Sequence, residues 1–265
     1  VYKRQGQDTA VTELVSTSDA IAHFEQELDD NGIAFGSVVG TWINTSTDND
    51  FLMLNFFDDG TYIHAEIDEQ APIDEAGDLS GMEWGTYSQD ADTGQLTVTQ
   101  TFDNNGDTGL TDFVGTPNIF LNVSGDTLTA TIDEENDGII DDTLTFQRQE
   151  SSDLLGVWTT DLTDNELLGF VFFADGTYVH FEIDEEAPFD EVGDMSGMEW
   201  GTYSRDANTG QMTVTQIFDN NGDTGLTDFV GTPNIFLNVS GDTLTATIDE
   251  EDDGIIDDTI AFQRR

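Results

Sequence analysis

The chain has 265 residues, enough for one or two domains, and its 36% hydrophobic content with 18 Phe, 5 Tyr and 4 Trp is enough to build packed cores. Its 56 Asp plus Glu against 6 Lys plus Arg give a formal charge of −50. Such a surface repels phosphate backbones and anionic lipid, so neither nucleic acid nor a membrane is an expected partner. There is no cysteine, which removes disulfides, thiolate catalysis and Cys-type zinc sites.

Cations are the natural partners of this surface. They are either bulk salt that screens self-repulsion in a saline, halophilic setting or divalent ions such as Ca²⁺ that take oxygen ligands. No stretch has the length and apolarity of a membrane-spanning helix. The chain opens on Val1 rather than Met, so it reads as a fragment whose signal peptide lies outside it.

Residues 1–37 form a lead. Within it, Val1 to Gln5 holds Lys3 and Arg4 and is foreign in composition to the rest. Residues 18–30 predict a short helix: Ile21, Phe24 and Leu28 fall on one face, Thr17 or Ser18 can cap its start, and Gly32 ends it.

An internal repeat follows. Gly40-Thr-Trp42 recurs as Gly156-Val-Trp158, Asp59-Gly-Thr-Tyr62 as Asp175-Gly-Thr-Tyr178, and Gly81 to Tyr87 as Gly197 to Tyr203. The offset is constant (158 − 42 = 116), so residues 38–149 and 154–265 align without a gap around the short polar linker Glu150-Ser-Ser-Asp153. From Gly81 onward the copies are nearly identical; ahead of it they diverge, as in Leu52-Met-Leu-Asn55 against Leu168-Gly-Phe-Val171.

Within one copy, alternation predicts short strands. Leu96, Val98 and Phe102 share a face, as do Leu128, Ala130 and Ile132, and Leu144 and Phe146, with threonines opposite. Further strands are expected near 39–45, 51–57, 61–67, 82–88, 109–114 and 118–123. Asp58-Asp-Gly-Thr61 and Ser124-Gly-Asp126 are hairpin turns where Gly supplies positive φ. With no crossover helices, the expected fold is all-β: two tandem antiparallel up-and-down β-barrels behind a short N-terminal helix.

Gly40-Thr-Trp42 and Gly156-Val-Trp158 on the first strands, with Arg148 and Arg264 on the last, resemble the short bacterial lipocalin-like domains of the calycin superfamily. The resemblance implies that each Arg packs across its Trp as a fold-closing contact, and that each barrel could carry a small apolar ligand. Alternation independently puts Arg148 on the face of Leu144 and Phe146, where an aromatic ring is a suitable partner. The alternative is a solvated strand-end charge.

Two acidic loops could bind metal. Asp133, Glu135 and Asp137 alternate ahead of Gly138, with Asp141 beyond, and the second copy offers Asp249, Glu251, Asp253 and Asp257. Asp103, Asn105 and Asp107, followed by Asp112, have the same spacing and recur as Asp219, Asn221, Asp223 and Asp228. Alternating oxygen ligands let a tightly curled backbone aim them at one Ca²⁺. The alternative is an ordinary Asp/Asn/Gly turn.

Tyr62, His64 and Glu66 share one strand face, with Glu83 on the next strand, and His180 is the second-copy counterpart. A His with carboxylates could act as acid and base or hold a metal. Because Ile63, Ala65 and Ile67 form the apolar side, His64 is expected to face outward as a surface cross-strand pair. The leading expectation is therefore a non-enzymatic, secreted or cell-surface bacterial module, part of a larger extracellular protein and possibly stabilised by Ca²⁺. The second is a carrier of a small hydrophobic ligand.

Overall fold

The computed structural model describes residues 36–44, 51–67, 80–106, 109–113, 118–160, 167–183, 196–222, 225–229 and 234–265. The helix expected over 18–30 lies outside them. The described residues are all-β. The first copy contributes β1 (Gly40–Asn44), β2 (Phe51–Phe56), β3 (Thr61–Ile67), β4 (Gly81–Gln89), β5 (Leu96–Asp103), β6 (Asn118–Ser124), β7 (Thr127–Asp133) and β8 (Asp142–Arg148). The second contributes β9 (Gly156–Thr159), β10 (Leu167–Phe172), β11 (Thr177–Ile183), β12 (Gly197–Arg205), β13 (Met212–Asp219), β14 (Asn234–Ser240), β15 (Thr243–Asp249) and β16 (Asp258–Arg264).

Each set forms one antiparallel eight-stranded sheet, in the order β5-β4-β3-β2-β1-β8-β7-β6 and its counterpart β13-β12-β11-β10-β9-β16-β15-β14. Neighbours in sequence are neighbours in space, as short hairpins favour, and first and last strands pair through Trp42↔Arg148. The sheet curls far enough for its outer strands to touch. Gln95 bridges Phe120, the Leu121 N–H donates to Gly94 O at 2.9 Å, and Gln89 Nε2 donates to Leu121 O at 2.7 Å.

The concave side of the first sheet is packed by Trp42, Leu54, Phe56, Tyr62, Leu96, Leu121, Leu128, Ile132 and Phe146; the second repeats the arrangement around Trp158, Phe172, Tyr178 and Phe262. A separate cluster joins the sheets: Met53, Ile63, Ala65, Ile67, Met82 and Trp84 from the convex side of the first, and Val171, Val179, Phe181, Ile183 and Met198 from the second. Strands β2 and β10 are thus covered on both faces, which is why their apolar residues run without alternation.

Two local expectations are corrected. Residues 110–113 form a 3-10 turn rather than a strand. Phe102 does not share the face of Leu96 and Val98. The register between β4 and β5 shifts at Trp84/Gly85, where Gly85 opposes Gln100 and Trp84 opposes Phe102. That bulge inserts one residue and turns Phe102 toward the cluster between the sheets.

Candidate functional site

The convex cover reverses the expected placement of His64. Ile63, Ala65 and Ile67 pack against the other sheet, so the opposite face of β3, with Tyr62 and His64, points into the concave interior. His64 is 4% exposed, its cross-strand neighbour Glu83 0%, and Asn105 0%. The apolar face of a strand need not be the barrel's inner face when a second sheet covers its outside.

Burying Glu83 is tolerable only with donors. Tyr62 Oη donates to Oε1, Thr111 Oγ1 donates to Oε2 at 2.8 Å, and the Thr111 N–H donates to the same oxygen at 3.3 Å. The second copy repeats this: Tyr178 Oη and Thr227 Oγ1 both donate to Glu199. Glu83 therefore ties the 3-10 turn Leu110–Phe113 onto the sheet, and Leu110 beneath it is part of the concave core. Gly109 leaves room here for the Glu83 carboxylate, which a methyl group at that position would overlap and have to displace. Neither Thr111 nor Gly109 carries a motif that would mark it in the sequence.

Asn105, a candidate calcium ligand by spacing, instead turns inward. Its Nδ2 donates to His64 Nδ1 at 3.0 Å, and Asn221 does the same to His180. An accepting Nδ1 means a neutral ring with its proton on Nε2. Asp103 stays outside, accepting from the Asn105 N–H at 2.9 Å and from Gln100 Nε2 at 2.7 Å; Asp219 does the same. Asp107 and Asp223 lie outside the described residues.

Burial sets the protonation of the group. Desolvation lowers the His64 pKa to about 4 and that of His180, which packs on Phe170 at 4.9 Å, to about 3. Desolvation raises the Glu83 and Glu199 carboxyls, against the hydrogen bonds they accept. Burial, then the neighbouring Glu83 charge, pushes the Tyr62 phenol up. The arrangement holds a neutral imidazole beside a carboxyl that anchors a turn.

The acidic hairpin between β7 and β8 is organised by its own carboxylates. Asp133, 4% exposed, accepts the Asp137 N–H on Oδ1 at 3.0 Å and the Gly138 N–H on Oδ2 at 2.9 Å. Asp141 accepts the Glu134 N–H, Asp137 accepts the Ile139 N–H, and Glu135 is exposed. Asp249, Asp253 and Asp257 repeat these bonds, and Glu251 is likewise exposed. Among the described residues no group of three or more His, Asp or Glu side chains is arranged to hold a metal ion.

At the strand ends, the Arg148 guanidinium lies 3.9 Å from the Trp42 ring centroid, and Arg264 lies 4.1 Å from that of Trp158. Arg148 Nη1 also donates to Val39 O at 2.8 Å, and Arg264 Nη1 to Leu155 O at 2.8 Å. Gly40 has φ +126, and a Cβ there would press on Arg148 Nη1, which accounts for the glycine of the Gly-x-Trp pair.

No family model matches the sequence, and no curated protein matches it. Solved structures similar to the chain include the DNA polymerase III beta sliding clamp of Bartonella birtlesii, 9% identical, covering 92% of this chain and 82% of that chain with a TM-score of 0.13. They also include the Helicobacter pylori beta clamp bound to a DNA ligase peptide, 8% identical, covering 92% and 81% with a TM-score of 0.12. Likeness at that level carries no argument about fold or activity.

Proposed function

We propose that the chain is a non-enzymatic pair of short lipocalin-like barrels, secreted or displayed on a bacterial surface, serving as a binding or spacer unit of a larger extracellular protein. The observation that carries this reading is the filled interior. Trp42, Phe56, Tyr62 and Phe146 are each no more than 1% exposed and pack into one cluster on the concave side. A carrier needs an open apolar cavity for its ligand; here aromatic side chains occupy that space, as they do in small barrels. The buried polar groups support the same reading, since Glu83 and His64 spend their hydrogen bonds on Thr111, Tyr62 and Asn105 within the fold. The lipocalin-like label rests on the Gly-x-Trp strand opening and the Arg148 and Arg264 stacks.

The test is a titration of the folded chain with a fluorescent fatty-acid probe. No saturable binding is expected. Stoichiometric uptake of one probe per copy would replace this reading with that of a hydrophobic-ligand carrier.

A further inference from the structure

The two sheets meet through reciprocal contacts. Phe51 packs edge-on against Phe173 at 5.7 Å and stacks on Trp200 at 5.8 Å. Leu167 stands at the position equivalent to Phe51 (51 + 116 = 167), and it lines one cleft with Phe57, the equivalent of Phe173. Phe51 of the first copy meets Phe173 of the second, and their counterparts Leu167 and Phe57 lie in the same cluster on either side of one cleft. That is the pattern of a two-fold, self-complementary interface. The equivalent pairs Met82 and Met198, Trp84 and Trp200, and Phe102 and Phe218 all belong to the same cluster.

The two faces have nevertheless diverged in a coordinated way. In the first copy Met53 on β2 pairs across with Ala65 on β3; in the second Gly169 on β10 pairs with Phe181 on β11. Each sheet keeps one large and one small side chain at this pair, but the large one has changed strand. The Phe181 ring covers Gly169 so closely that a methyl group there would overlap it. Beside this pair, Thr41 Oγ1 donates to Asn55 Oδ1 at 2.7 Å in a buried contact, and the second copy has Val157 against Val171. Both partners are exchanged together, which avoids the cost of leaving one polar group behind. Phe51 against Leu167 is a third difference on the same face. From Gly81 onward, by contrast, the copies are nearly identical.

We propose that the convex face of β2 to β4 is a self-recognition surface whose partner is the other copy. Its two-fold pattern marks a symmetric pairing of like domains, and the displaced bulk now makes each face specific for the unlike one. The inference concerns how the pair is held and does not depend on whether the barrels bind anything.

A protease site inserted after Glu150 in the full chain tests it, because Glu150 is exposed while Gln149 and Ser151 are bonded to Thr41 and Arg264. The folded protein is cleaved and examined at micromolar concentration by gel filtration and native mass spectrometry. The two fragments are expected to remain together as one unlike pair. Fragments that separate, folded or unfolded, or that sort into like pairs, would overturn the proposal. Specificity is read from two variants of the cleavable chain. Met53→Gly with Ala65→Phe gives the first face the bulk distribution of the second, and Phe51→Leu removes the ring between Phe173 and Trp200. Each is expected to weaken association of the cleaved halves by about tenfold or more; association unchanged in both would show that the divergence does not encode partner choice.

Discussion

His64 and His180 are buried, uncharged rings, and this makes acid stability a property of single residues. An unfolded histidine titrates near 6.5, whereas the folded rings resist protonation until about 4 and about 3, because burial disfavours the imidazolium. Between those limits the unfolded chain binds more protons than the folded one. The stabilisation is therefore complete above about pH 6.5 and is lost as the pH falls toward the folded values, by roughly 2 kcal/mol per histidine at pH 5. Glu83 and Glu199, raised by burial, act in the opposite sense, losing stability as the pH rises through their window, but they are common to wild type and variant. Replacing both histidines with Gln is expected to flatten urea-unfolding free energy against pH between 6.5 and 5 by about 3 kcal/mol in total. Parallel curves for wild type and variant would mean that the imidazoles are not the groups being protonated.

At the scale of elements, alternation sorted side chains onto faces but did not say which face is inside. Ile63, Ala65 and Ile67 do share a side, yet that side meets the second sheet rather than the barrel interior. The signal was present in Phe51 to Phe57, where apolar residues occupy both faces of one strand and so require two covers. The bulge that turns Phe102 outward has no such signal, because an inserted residue leaves local composition unchanged. The acidic hairpin was legible as a spacing pattern, but the same spacing serves a metal and a self-capped turn alike. Its geometry makes a separable prediction. Asp133→Ala removes the shared acceptor of the Asp137 and Gly138 amides and is expected to cost about 2 kcal/mol in urea unfolding. Glu135→Ala, at an exposed side chain, should stay within about 0.5 kcal/mol. Equal losses at Asp133 and Glu135, present only with Ca²⁺ in the buffer, would instead identify the hairpin as a calcium loop.

For the whole molecule the dominant long-range term is the charge. Six basic residues cannot neutralise 56 carboxylates, and two of them, Arg148 and Arg264, are committed to Trp42 and Trp158. The folded state concentrates this repulsion into a compact volume, while the unfolded chain spreads it, so the folded state gains more from screening. At low salt the Debye length is about 30 Å, comparable with the molecule, and carboxylates on opposite sheets repel; at 1 M it is about 3 Å and only near neighbours do. Thermal unfolding followed by circular dichroism should therefore show a midpoint that climbs steeply from 0.01 to 1 M NaCl. With Asp133 and Asp141 already engaged by backbone amides, NaCl, MgCl₂ and CaCl₂ at matched ionic strength are expected to give the same rise. An additional rise specific to millimolar Ca²⁺ and abolished by EDTA would mean that an ion binds the native state at a defined place. The extra stabilisation would then have to disappear in the Asp133→Ala and Asp249→Ala double variant for the hairpins to be that place.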